Sequence, residues 1–154
     1  MTQSQKQPGL AAGRRKARHF AMQGLYQWQL NKTAPNEIEA QFRVDFNMKG
    51  TDLEYFRELL TKVLAHLDEI DDAIRPLTTE RTIDELDPVT LSLLRIGIYE
   101  FQQRIDVPYK VVINEAVNLA KKFGPEDSSK FVNAVLDKAA LQLRTIETAA
   151  ENKN

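Results

Sequence analysis

Cysteine is absent from this 154-residue chain, and histidine occurs only at His19 and His66. The lack of cysteine excludes disulfide bonds, thiolate catalysis and thiolate metal sites, and it is typical of a cytoplasmic protein. Histidine is the usual acid–base residue near neutral pH, and His66 has no metal-binding partner near it in the sequence. Glycine-rich phosphate loops, nucleophile elbows and zinc-protease patterns are also missing. We therefore expect a non-enzymatic protein with no catalytic residue, no metal site and no cofactor.

Long apolar runs are missing too. No segment is long enough to span a bilayer, and no apolar stretch of a secretory signal follows the basic N-terminal residues. Hydrophobic residues make up 42% of the chain and charged residues 28%, which is an ordinary balance for a globular protein. We expect one domain, or two small halves with a shared core, in the cytoplasm and without membrane contact.

Acidic residues are absent from residues 1–36, which carry six lysines and arginines. That segment therefore has a charge of +6, and the remainder has −7, because the whole chain has −1. A basic arm on an acidic body indicates that only part of the surface meets a polyanion. It argues against coating of duplex DNA, for which basic residues would be spread more widely.

A helix predicted from about Ala11 to Leu30 has two different faces. Its apolar side should pack on a core and carries Ala17, Phe20, Ala21, Gly24, Leu25 and Trp28. The opposite side carries Arg15, His19, Gln23 and Tyr26, flanked by Arg14, Lys16 and Arg18. A cationic face with an outward aromatic ring suits single-stranded RNA, since the charges bind phosphates and the ring stacks on a base. A solvated helix with a basic start is the alternative.

Helical periodicity runs through the rest of the chain, and no segment shows the alternation of a strand. Thr51 to Glu54 matches a capping box in which Thr51 is the cap, and Asp87-Pro88 is a strong start for a helix to about Gln103 that is apolar on nearly every side. The predicted fold is all-α, with about seven helices in two packed sub-bundles, about 13–76 and 77–145. Residues 1–12 are expected to be a disordered tail and residues 146–154 a frayed one.

Two further clusters deserve comparison with simpler interpretations. The acidic run Asp68 to Asp72 could hold a hard cation, but it lacks the spacing of a calcium loop, and a solvated helix face is the better interpretation. Asp127 to Phe131 lies at a helix start, where backbone N–H groups can meet a phosphate. Pattern alone favours a core position for Phe131 over an RNA contact.

Several segments together resemble the NusB family of transcription antitermination factors. The resemblance covers about Ala11 to Ala140, and it is most specific after Asp106. The segments that carry it are Arg14 to Arg18 with Ala21 to Leu30, Leu94-Arg95-Ile96, Asp106 to Lys110, Ile113 to Ala116 and Lys130 to Asp137.

The resemblance implies that the chain binds boxA-type single-stranded RNA together with NusE, a small-subunit ribosomal protein. It implies assembly with NusA, NusG and RNA polymerase, which promotes processive transcription of ribosomal RNA operons. The alternatives are a protein–protein adaptor whose basic arm docks an acidic partner, and a ribosomal-RNA-binding accessory protein without antitermination activity. Neither the oligomeric state nor the exact RNA preference follows from the sequence.

The resemblance also assigns residues. Its RNA contacts correspond here to Arg14, Arg15, Lys16, Arg18, Tyr26, Asp127, Lys130 and Phe131. Its partner surface corresponds to about Leu77 to Tyr99, in which we single out Thr90, Leu94 and Tyr99. Tyr26 follows independently from the helix pattern, whereas the RNA role of Phe131 rests on the resemblance.

Overall fold

The computed structural model describes residues 2–152 and the side chains of residues 9–151. Within that range the chain forms eight α-helices and no strand, which confirms the all-α prediction with one helix more than expected. The helices are α1 (Thr2–Asn31), α2 (Pro35–Asp45), α3 (Leu53–Ala65), α4 (Leu67–Ile74), α5 (Pro88–Gln103), α6 (Tyr109–Phe123), α7 (Ser128–Leu143) and α8 (Thr145–Asn152). Two 3₁₀ turns, Arg75–Leu77 and Ile83–Glu85, lie between α4 and α5.

The chain divides into two compact units, Met1–Ala65 and His66–Asn154, so the boundary lies earlier than the one expected near residues 76–77. In the first unit α1 packs on α3, and Gly24 allows the close approach. A Cβ atom at Gly24 would lie 3.0 Å from Cδ1 of Leu60 and 3.3 Å from Cγ2 of Ile38. The core of this unit is rich in aromatic rings, with Phe42 stacked on Phe56 at a centroid distance of 6.0 Å.

The start of α3 differs from the predicted cap by one residue. Asp52, not Thr51, accepts a hydrogen bond from the backbone N–H of Tyr55 through its Oδ1 atom, at 3.0 Å. The Thr51 hydroxyl has no hydrogen-bond partner. Both residues are good caps, and the helix begins at Leu53, which leaves Asp52 in the capping position.

In the second unit α5 is the central helix, as its all-round apolar pattern predicts. Every residue from Thr90 to Phe101 is buried. The Asp87 cap is confirmed, because its carboxylate accepts from the N–H groups of Val89 and Thr90 at 3.0 and 3.1 Å. Gly97 lets α7 approach, since a Cβ atom there would lie 2.9 Å from a methyl group of Leu136.

The acidic run on α4 is not uniformly solvated. Asp71 is buried, and its two carboxylate oxygens accept from Nε and Nη2 of Arg95 on α5, each at 2.9 Å. Asp72 is exposed and pairs with Arg75. No group of metal-binding side chains occurs among the described residues. Asp71 therefore has a structural role in joining α4 to α5.

Both ends of the described chain are helical where tails are expected. At the start, α1 begins at Thr2, whereas the sequence predicted a helix from about Ala11. Met1 of the first expected tail and Lys153 and Asn154 of the second lie outside the described residues. At the end, α8 is held by Arg144, whose guanidinium donates to the backbone carbonyls of Glu100, Phe101 and Arg104 at 2.9–3.1 Å. These partners lie some 40 residues away in the chain, so local sequence pattern does not reveal them.

No helix in residues 2–152 combines the length and the apolar character that crossing a bilayer requires.

Candidate nucleic-acid interface

The first candidate surface lies on α1. Tyr26 is 39% exposed, and Arg15 and Lys16 are also exposed. Nζ of Lys16 donates to the carbonyl oxygen of Lys49 at 3.2 Å, which places its charge beside the turn that precedes α3. Arg15 and Tyr26 are eleven residues apart, about three helical turns, so they face the same side of α1. The predicted outward position of Tyr26 is what the structure has.

Arg18 lies elsewhere. It is only 4% exposed, and its guanidinium carbon lies 5.5 Å from the ring centroid of Tyr55. Arg14 lies over the same ring at 4.6 Å and is half-buried. Arg18 has the spacing of the buried Ala21 and Leu25, three and seven residues on, which explains why it turns inward. The exposed cationic face is thus narrower than the sequence predicts.

A groove lies beside Tyr26 between the C-terminal parts of α1 and α2. Its volume is about 480 Å³. Apolar side chains and side-chain amides both line it, among them Tyr26, Leu30, Phe42, Phe46, Gln23, Gln27 and Gln41. Gln27 donates to Gln41 across the groove at 3.2 Å. Asp45 is the one charged residue among the described residues of the lining, so the ring of Tyr26 is bordered mainly by neutral groups that can meet a base.

The second candidate surface lies at the start of α7. Gly124 is required there, because a Cβ atom would lie 2.3 Å from the Ser128 hydroxyl oxygen. Asp127 adopts a left-handed backbone conformation, with φ of 68°, and its carboxylate is exposed. Lys130 is exposed as well, and its Nζ atom lies 4.0 Å from the Asp127 carboxylate. Both side chains are accessible to a nucleic acid.

Phe131 is half-buried. Its ring is thus neither fully enclosed in the core nor fully exposed. The guanidinium carbon of Arg81 lies 4.8 Å from its ring centroid. Arg81 belongs to the segment between the two 3₁₀ turns and is exposed. The sequence did not reveal Arg81, because an arginine in a connecting segment follows no periodic pattern. The contact brings a cation to the ring that the resemblance assigns to RNA.

The three residues singled out for partner binding are buried. Thr90 and Tyr99 are each 4% exposed, and Leu94 is fully buried. All three belong to α5, which is apolar on nearly every side and is buried from Thr90 to Phe101. Their side chains thus present almost no surface to a partner in this structure, and their assignment stays a prediction.

Known proteins resemble this chain over most of its length. A model of the NusB family matches residues 15–141. The chain is 55% identical to the transcription antitermination protein NusB of Saccharophagus degradans over 140 residues. The matched segment covers 91% of this chain and 93% of that protein. It is 56% identical over 137 residues to the protein of the same name from Teredinibacter turnerae, with 89% and 93% covered.

Solved structures agree with the sequence comparison. The NusB solution structure from Aquifex aeolicus is 32% identical, has a TM-score of 0.72, and is matched over 84% of this chain and 90% of that chain. A crystal structure of the antitermination factors NusB and NusE in complex with double-stranded RNA is 31% identical, with a TM-score of 0.70, over 82% and 94% of the two chains. The chain therefore belongs to the NusB family of transcription antitermination proteins.

Proposed function

We propose that this chain is a non-enzymatic transcription antitermination factor of the cytoplasm that binds boxA-type single-stranded RNA together with NusE. In this role it joins NusA, NusG and RNA polymerase and promotes processive transcription of ribosomal RNA operons. The observation that carries the proposal is the exposed ring of Tyr26 on the same side of α1 as Arg15, in a segment of 36 residues without an acidic side chain.

Each compact unit supplies one RNA-binding surface. In the first unit, Arg15 and Lys16 bind phosphates and Tyr26 stacks on a base. In the second unit, Lys130 and Phe131 perform the same two tasks, and Asp127 accepts a hydrogen bond from a base or a ribose. Arg14 and Arg18 lie over the ring of Tyr55. They therefore attract the RNA through the positive potential of α1 and hold this helix in place.

NusE is the proposed protein partner, as in the related complex that contains both factors and RNA. Outside residues 1–36, fifteen lysines and arginines are outnumbered by 22 acidic residues, so the free chain offers only a small phosphate-binding footprint beyond its N-terminal arm. A composite surface with a ribosomal protein would enlarge that footprint and supply selectivity. Since Thr90, Leu94 and Tyr99 are buried, the exposed residues of the Leu77 to Tyr99 region other than Arg81, which contacts Phe131, are the better candidates for direct contact with NusE.

A titration of fluorescently labelled RNA, followed by anisotropy, tests the proposal. The RNAs are a boxA-type strand, a scrambled strand of equal composition and the boxA duplex, each with and without purified NusE. We expect the boxA strand to bind best, and NusE to increase both affinity and selectivity. Equal affinity for boxA and scrambled RNA in the presence of NusE would contradict the proposal. Binding of NusE without RNA binding would favour the adaptor alternative.

A further inference from the structure

A small cavity lies between the segment 77–81 and α7, next to Phe131. Its volume is about 250 Å³. That is slightly below the range of small-molecule sites, on the order of 300–1,000 Å³, so the cavity can hold no more than one nucleotide. The lining residues that matter here are Thr78, Arg81, Phe131, Ala134 and Lys138.

Thr78 lines this cavity, and its hydroxyl group is buried without a hydrogen-bond partner. The residue is only 6% exposed, and its Oγ1 atom has no hydrogen-bond partner. A buried hydroxyl without a partner lowers stability, and most buried polar groups of native proteins have a hydrogen-bond partner. The backbone of Thr78 is fully employed, because its N–H donates to Arg75 and its carbonyl accepts from Arg81. The side chain alone is left to meet a ligand.

The remaining lining groups suit a nucleotide. Phe131, Ala134 and Lys138 are three and four residues apart on one side of α7, and Arg81 reaches over the Phe131 ring from the opposite wall. Glu80 also lines the cavity, so with Arg81 and Lys138 its net charge is +1. The small side chain of Ala134 leaves the space between ring and lysine open. An aromatic ring on which a base can stack, with a cation on the same side of the helix, can bind an unpaired base and a neighbouring phosphate.

We propose that this cavity is a subsite for one unpaired nucleotide of the bound RNA, formed by Thr78, Arg81, Phe131 and Lys138. The base stacks on the pair of the Phe131 ring and the Arg81 guanidinium plane. Lys138 binds a phosphate, and the Thr78 hydroxyl donates to a phosphate or ribose oxygen. The inference rests on the proposed function, and it extends the RNA-binding surface along α7 beyond the residues assigned by resemblance.

Thr78→Val tests the subsite through two measurements that should move in opposite directions. The substitution keeps the shape of the side chain and removes the orphan hydroxyl. We expect the midpoint of chemical unfolding to stay equal or to rise, because no buried polar group is left without a partner. We expect affinity for boxA-type RNA to fall severalfold. Loss of stability with unchanged RNA affinity would overturn the role of Thr78.

Arg81→Lys, Arg81→Ala and Lys138→Ala separate stacking from charge, with exposed Lys62→Ala on α3 as a control. The slope of log affinity against log salt is negative. Removing one phosphate-binding cation should make it less steep by about 0.7 for single-stranded RNA. We expect Lys138→Ala to make the salt dependence less steep. We expect Arg81→Lys to weaken binding but to keep the salt dependence of the parent, because lysine retains the charge and lacks the planar guanidinium group. Lys62→Ala should bind like the parent.

Two outcomes distinguish failure of the subsite from failure of the proposed function. If the parent chain with NusE does not bind boxA-type RNA, both fail. If the parent binds and the Arg81 and Lys138 variants bind equally well and with the same salt slope, only the subsite fails. An RNA shortened one nucleotide at a time gives an internal check. At the length that empties the subsite, the parent should lose affinity and approach the Arg81→Ala variant.

Discussion

Arg18 lies over the ring of Tyr55, with 5.5 Å between the guanidinium carbon and the ring centroid, while Arg15 on the preceding turn is exposed. Two arginines three residues apart thus have different tasks. Arg18 packs in the first compact unit through its stem and its contact with the aromatic ring. Arg15 is exposed, so a phosphate can reach it.

Arg15→Ala and Arg18→Ala should therefore have contrasting effects. Arg15→Ala should weaken RNA binding and lower the salt slope by about 0.7, while the free energy of unfolding changes by less than about 0.5 kcal/mol. Arg18→Ala should destabilise the chain by about 1–3 kcal/mol, because a buried cation–ring contact and its packing are lost. Urea unfolding and RNA titration at several salt concentrations measure both. An unaltered urea curve for Arg18→Ala would refute its structural role.

Tyr26 should act through its ring and not through its hydroxyl. Tyr26→Ala should lose about 1–3 kcal/mol of RNA-binding free energy, the usual contribution of one stacked base, and Tyr26→Phe should retain most of it. Neither variant should unfold, because the side chain is 39% exposed. Val44→Ala on α2, which truncates an even more exposed apolar residue, is the matched control. Equal loss in Tyr26→Phe and Tyr26→Ala would argue for a hydrogen bond instead of stacking.

The ion pair of Asp71 and Arg95 should be essential for the stability of the fold and should have no direct effect on RNA affinity. Asp71→Asn removes the carboxylate that accepts two hydrogen bonds from the buried guanidinium of Arg95, and breaking a buried pair costs about 3–5 kcal/mol. Asp72→Asn removes the exposed neighbouring carboxylate and should change the unfolding free energy by less than about 1 kcal/mol. Chemical denaturation of the two variants gives the comparison. Equal stabilities would show that the buried pair has no special importance.

Glu39 should make the first unit sensitive to acid. Its carboxylate accepts from Arg57 on α3 and from Arg43 on α2, and the hydrogen bond from Arg57 is the main cause that holds the pKa of Glu39 below its ordinary value of 4.5. The folded state thus favours the ionised form, and its stabilising contribution is present above pH 4.5 and is lost as pH falls through the lowered pKa.

Glu39→Gln measures this contribution. The parent should be more stable than the variant near pH 7, and the two unfolding free energies should converge as the pH falls well below 4.5. Solvent screening of the exposed arginines keeps the difference small. Unfolding curves at a series of pH values provide the test. A difference that persists or grows in acid would contradict the assignment.

The sequence predicted the helices best where one face or the whole surface is apolar. The helix Pro88–Gln103 begins at its Asp87 cap and ends where the pattern ends, because the proline, the carboxylate and the apolar residues all indicate the same structure. The sequence failed where stabilising contacts are distant. Arg144 holds α8 through carbonyl groups of another helix, so the small, polar C-terminal residues gave no sign of it.

The candidate site shows the same division. The exposure of Tyr26 follows from helical spacing, since a ring opposite Phe20 and Trp28 does not reach the same core. Arg18 shares the helical spacing of buried residues, but its contact with Tyr55, more than thirty residues later, is contained in no local pattern. Arg81 meets Phe131 across fifty residues for the same reason. Helical spacing therefore predicts the exposure of a side chain more readily than its contacts with residues distant in the sequence.

The most direct test of the account is the affinity of boxA-type RNA for the Tyr26→Ala/Phe131→Ala double variant in the presence of NusE. Loss of two stacked bases predicts a decrease of at least about 30-fold relative to the parent, with an unfolding curve that shows a folded protein at the assay temperature. A folded double variant that binds the RNA as tightly as the parent would contradict the claim that each of these rings stacks on a base of the bound RNA.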